Sequence, residues 1–150
     1  MTDALLTCLI AEHKTAAEFD SVLAEEQTAL TSSSLMEVLP TIVERKSALA
    51  SQLAELALER GRCLAAIGQA NDRKGIEAAI RKDTRLAPVW NQLTRSATSA
   101  RSCNLTNGML LRTRLEYTRR AMMALREARG AGGAAAAVYG PDGRMPTDMR

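Results

Sequence analysis

Residues 3–67 read DALLTCLIAEHKTAAEFDSVLAEEQTAL, then TSSS, then LMEVLPTIVERKSALASQLAELALERGRCLAAI, and the spacing of their apolar residues decides the fold. Leu5, Leu9, Glu12, Ala16, Phe19, Leu23, Glu26 and Leu30 step by fours and threes, so they form one stripe on a helix about 39 Å long. Two glutamates interrupt that otherwise apolar seam. After the polar break Thr31-Ser32-Ser33-Ser34 the same spacing resumes at Leu35, Leu39, Ile42, Lys46, Leu49, Leu53, Leu56, Arg60, Cys63 and Ile67. Two similar stripes joined by a short polar connection predict an antiparallel helical hairpin. Ser34 is placed to cap the second helix, with Glu37 three residues later completing a capping box, and Pro40 bends the first turns or shifts the start.

Beyond the hairpin, residues 68–75 form a polar break in which Asn71 or Asp72 can cap a short connecting helix near residues 72–82. A third long helix starts within residues 83–88 and runs to Arg129. Leu86, Trp90, Leu93, Ala97, Ala100, Asn104, Asn107 and Leu111 share one of its faces and close a three-helix core. The predicted fold is all-α: a long antiparallel hairpin and a third long helix forming a bundle over residues 1–129, with a flexible C-terminal tail over residues 130–150. Five of the nine glycines and two of the four prolines fall in those last residues, which argues against a continuing helix.

Composition agrees. Ala and Leu dominate a hydrophobic content of 46%, and β-branched and aromatic residues are scarce, which favours helix over strand. No apolar run approaches the roughly 20 residues that span a bilayer, and Asp3 stands where a basic leader would, so a cytoplasmic protein without membrane insertion is expected. Cys8, Cys63 and Cys103 are far apart in apolar helical surroundings, the profile of reduced structural thiols. They form no metal spacing, and His13, the single histidine, has no partners nearby for acid-base work. No catalysis, metal or cofactor is expected.

Three features ask for more than a fold. Asn104-Leu105-Thr106-Asn107-Gly108 puts two amides and a glycine where a seam should carry Leu or Ala. Buried amides fix helix register and Gly permits close approach; alternatively the amides face a groove and bond an incoming segment. Charge is uneven: residues 1–60 hold ten acids and four bases, whereas residues 86–129 hold eight arginines and two acids. Attraction between an acidic hairpin and a basic third helix explains this, and nucleic-acid binding is the alternative, with only Tyr117 among the arginines to stack on bases. Finally, Met109, Leu110, Leu111, Leu115, Met122, Met123 and Leu125 are too many for one stripe, and the surplus points to a partner helix.

Taken together, Glu44-Arg45-Lys46-Ser47-Ala48-Leu49, Trp90, Asn104-x-x-Asn107-Gly108 and the tail segment Val138-Tyr139-Gly140-Pro141-Asp142-Gly143 resemble the FlgN family of flagellar export chaperones over most of the chain. The resemblance implies a non-enzymatic cytoplasmic chaperone that binds the C-terminal segments of the hook-associated proteins FlgK and FlgL and delivers them to the flagellar type III export apparatus. It implies that the chaperone's C-terminal region helps hold the client, and with the amides and the apolar surplus above, the expected client surface is Asn104, Asn107, Gly108, Met109, Leu111, Leu115, Met122, Met123 and Leu125. It also implies an export-gate docking segment of Val138, Tyr139, Gly140, Asp142 and Gly143, in which Pro-Asp-Gly favours a tight turn presenting the Tyr ring. A monomer is expected and a dimer left open, since heptad seams also close between chains. The competing readings are a generic helical-bundle adaptor, which leaves the tail unexplained, and a basic-helix nucleic-acid-binding protein.

Overall fold

The two stripes become two long helices. In the computed structural model, which describes the backbone of residues 1–138 and the side chains of residues 1–131, α1 spans Asp3–Leu30 and α2 spans Leu35–Ala66. A short α3, Arg73–Lys82, leads into α4, Leu86–Val138. The described residues contain no strand. Two units are distinguished, Met1–Leu110 and Leu111–Arg150, and the division falls inside α4.

In Met1–Leu110 seam residues pack as two apolar clusters together with Val22, Ala29 and Leu64, which lie beside the predicted stripes. One gathers Leu5, Leu9, Ala16, Leu64, Ile76, Ala79, Leu86 and Leu93, with Trp90 partly buried against it. The other gathers Val22, Ala29, Leu30, Leu35 and Ile42 around the hairpin turn, with Leu110 against it. The glutamates that interrupt the α1 seam are buried, and each meets a base that interrupts the α2 seam. Glu12 pairs with Arg60, and Glu26 pairs with Lys46 at 3.0 Å. Glu12 and Glu26 stand two heptads apart on α1, as Lys46 and Arg60 do on α2, so a single antiparallel register satisfies both. The Arg60 guanidinium also lies 5.6 Å over the Trp90 ring, which brings α4 to the same point.

The connections show where local chemistry set the path. Ser34 is the residue before α2, yet its hydroxyl makes no cap; its backbone is near-helical, which turns the side chain away from the orphan N–H groups, and its Oγ lies 2.8 Å from Ser32 Oγ. The expected capping box is therefore absent, and the Ser34 carbonyl instead accepts from the Glu37 and Val38 N–H groups. Pro40 sits inside α2 without ending it. At the other end of α2 the N–H of Gln69 bonds to Leu64 O at 2.9 Å and that of Gly68 to Ala65 O at 3.0 Å, a Schellman closure whose left-handed residue is Gly68 at φ 75°. Asp72 caps α3 by accepting from the Gly75 N–H at 2.7 Å, while Asn71 turns back to accept from Arg60 Nε at 3.2 Å.

Thr2 and Asp3 tie the start of α1 to the α3–α4 joint: the Thr2 hydroxyl donates to Asp83, and Arg85 bridges Asp83 and Asp3. The Arg85 hydrogen bond, then that of Thr2, holds the Asp83 carboxyl well below the ordinary carboxylate range. This contribution, screened by solvent, is full above the ordinary carboxylate range and is lost progressively as pH falls from there through that depressed value. At its far end α4 passes Arg129, where the sequence reading stops it, and continues to Val138. Ala131 and the run Ala134-Ala135-Ala136-Ala137 supply the residue of highest helix propensity, which offsets glycines that each cost about 1 kcal/mol relative to Ala. The rest of the expected tail, residues 139–150, lies outside the described residues.

Among the described glycines Gly75 has the least room: a Cβ there would stand 1.8 Å from the Ala70 carbonyl oxygen. Gly75→Ala is expected to cost more than Asp72→Ala, which removes only the cap at about 1 kcal/mol. Urea denaturation of the two variants checks the order.

Candidate functional site

The two amides of the Asn104–Gly108 segment part company. Asn107 is 2% exposed, and its Nδ2 donates to Leu23 O at 2.8 Å and to Glu26 Oε1 at 2.9 Å. Both of its amide protons are thus used inside the bundle, so Asn107 takes the register role and leaves the set of residues offered to a partner. Asn104, one turn earlier, is exposed, with its Oδ1 3.4 Å from Lys46 Nζ. Glu26, Lys46, Asn104 and Asn107 therefore form one polar network joining α1, α2 and α4. Gly108 does not serve close helix approach, since a Cβ there would meet nothing within 4 Å.

Charge is arranged less simply than an acidic hairpin attracting a basic helix. Glu12, Glu25 and Glu26 are met by the hairpin's own Arg60, Arg45 and Lys46. Two contacts from α4 to hairpin acids come from neutral donors, Asn107 to Glu26 and the Ser99 hydroxyl to Asp20 at 3.0 Å. Burial pushes the Cys8 thiol up to about 11, with the neighbouring Cys63 and Glu12 adding to the effect, so it holds its proton at neutral pH and is no nucleophile. Among the described residues, no helix is long and apolar enough to cross a membrane.

The unit that begins at Leu111 presents the apolar surplus to solvent. Leu111 is 37% exposed, Leu115 59%, Met122 53% and Leu125 64%. At 3.6 residues per turn these four fall within an arc of about 80°, stepping with Thr118 in the 4-3 pattern of a helix seam. Thr118 puts no unmet polar group on that stripe, because its hydroxyl donates to Arg114 O one turn back at 3.0 Å. Met123 lies off the stripe and is exposed; Met109, at the end of the first unit, is exposed as well. Of the expected docking segment, Val138 is the last residue of α4, and Tyr139, Gly140, Asp142 and Gly143 lie outside the described residues.

One surface went unread in the sequence. A groove of about 530 Å³ opens beside the α1–α2 turn, walled by Ala29, Val38 and Ile42 and rimmed by the Glu25–Arg45 pair. Its sequence signal is Val38, an apolar residue that falls outside the α2 stripe and is exposed.

The family model described as FlgN protein matches residues 1–147. No curated protein and no solved structure matches the chain.

The difference between the two amides is measurable. Asn107→Ala strips a hydrogen bond from Glu26 and from the Leu23 carbonyl in a buried setting and is expected to cost about 1–3 kcal/mol. Asn104→Ala, at an exposed position, should stay within about 0.5 kcal/mol of the parent in the same denaturation experiment.

Proposed function

The chain belongs to the FlgN family of flagellar export chaperones, and from that membership we propose that it holds the C-terminal segments of the hook-associated proteins FlgK and FlgL in the cytoplasm and passes them to the export gate. The observation that carries this reading is the solvent-exposed stripe of Leu111, Leu115, Met122 and Leu125 on α4. A client helix with an apolar face would self-associate or be degraded if left bare, and a seam of matching width covers it. Met123 is the further client contact of this unit in the proposal, and Asn107 acts only from inside the bundle.

The energetics suit a carrier. Covering the exposed parts of four apolar side chains is worth on the order of 1 kcal/mol each, and ordering the client subtracts from that sum. That gross sum of about 4 kcal/mol is a contact weak enough for the export machinery to undo, and contacts beside the stripe must add to it for the client to stay covered. Val138, Tyr139, Gly140, Asp142 and Gly143 form the gate-docking element in this proposal, separate in the chain from the client stripe. The chaperone acts as a monomer, without cofactor and without catalysis.

Calorimetry of the full chain with C-terminal peptides of FlgK and FlgL tests the assignment. Leu115→Glu and Leu125→Glu should each weaken binding by roughly tenfold or more, since a carboxylate cannot be buried unpaired in the seam. Tyr139→Ala should leave peptide affinity unchanged and reduce capture by the export gate. No binding of either peptide to the parent chain would sink the chaperone reading; loss of client binding in Tyr139→Ala would overturn the division of labour.

A further inference from the structure

The register that gathers the α4 stripe also fixes what flanks it. With Leu111, Thr118 and Leu125 at d and Leu115, Met122 and Arg129 at a, the three e positions are Arg112, Arg119 and Arg126, and the first g position is Arg114. Residues 111–131 hold six arginines against two glutamates, and those two, Glu116 and Glu127, stand at b and f, away from the seam. The positions that choose a coiled-coil partner are therefore all basic or, at the later g sites Ala121 and Ala128, uncharged.

We propose that the occupant of this stripe is an amphipathic helix of another protein that carries Leu-like residues in its own seam and Asp or Glu at the flanking positions. This rests on the reading of the stripe as the client surface and specifies the chemistry of the client. The contact needs about four turns, because Leu111 to Leu125 spans roughly 21 Å of helix. A second copy of the chain is a poor occupant. Antiparallel pairing would set e against e, arginine on arginine along the whole stripe, and parallel pairing would set Arg114 against Arg119. An anionic membrane surface fits less well than a helix, because an arc of about 80° is the width of a coiled-coil seam and carries no Trp or Phe. Nucleic acid would use the arginines and leave the apolar stripe without purpose.

Three synthetic three-heptad peptides test this on the full chain by fluorescence anisotropy. The first has a Leu seam with Glu at e and g, the second the same seam with Lys at those positions, and the third Glu at e and g with Gln in the seam. The first should bind, with affinity falling as salt is raised, the second roughly tenfold more weakly or worse, and the third not measurably. The double variant Arg119→Glu, Arg126→Glu should reverse the preference and gain affinity for the Lys peptide, a result that misfolding cannot produce. Equal binding of the Glu and Lys peptides would overturn the charge assignment while leaving the client reading to the FlgK and FlgL calorimetry. Binding of the Gln-seam peptide as tight as that of the first would overturn it as well. So would tighter binding of duplex DNA or phosphatidylserine vesicles than of the first peptide, or a dimer in sedimentation that Leu115→Glu dissociates.

Discussion

The carboxylate of Glu26 is the point on which the arrangement of the three long helices turns. It belongs to α1, takes both of its close charge contacts from Lys46 of α2, and accepts an amide hydrogen bond from Asn107 of α4. A buried carboxylate stripped of its partners costs about 3–5 kcal/mol, so any slip of α2 along α1 that parted Glu26 from Lys46 is heavily penalised. The same slip parts Glu12 from Arg60, because both pairs share one register. Apolar clusters alone tolerate slips between Leu and Leu; two charge pairs set two heptads apart do not. Once α1 and α2 are locked, Asn107 fixes which residue of α4 sits opposite Glu26.

Much of this was legible. The 4-3 spacing of residues 5–30 and 35–67 specifies two helices and their buried faces, and the seam charges at Glu12, Glu26, Lys46 and Arg60 are visible in the same count. Their matched separation also encodes the register, since equal spacing on antiparallel helices lets both pairs form together. The connections were harder. Ser34 and Glu37 have the letters of a capping box, but a near-helical backbone at Ser34 removes the geometry that a box needs. At the other end, Asp72 was one of two candidate caps, and what separated it from Asn71 was a tertiary contact to Arg60.

The candidate site was legible in part for the same reason. Asn104 and Asn107 are identical residues three positions apart on one seam, and sequence leaves open which is buried. The choice is made by what lies opposite: Asn107 meets the Leu23 carbonyl and Glu26 deep between helices, while Asn104 meets only the half-exposed Lys46 ammonium. The surplus of Leu and Met after Leu111 was readable as a group, and the structure sorts it into a stripe and outliers. Gly108 misled, because a glycine in a seam suggests close packing where the structure leaves room for a side chain.

The two stretches of α4 use opposite seam chemistry, and the contrast bears on how one helix can both belong to a fold and serve a partner. Up to Asn107 the seam carries Leu86, Trp90, Leu93, Ala100 and Asn107, buried or half-buried within the first unit, and the amide of Asn107 fixes one alignment there. From Leu111 to Leu125 it carries Leu and Met, which pack against varied shapes, and Thr118 among them is satisfied within its own helix. The buried amide contact of the seam thus belongs to the stretch within the first unit. The outer part asks of a partner only an apolar face, with discrimination left to the arginines beside it, so that shape selects weakly and charge selects the rest.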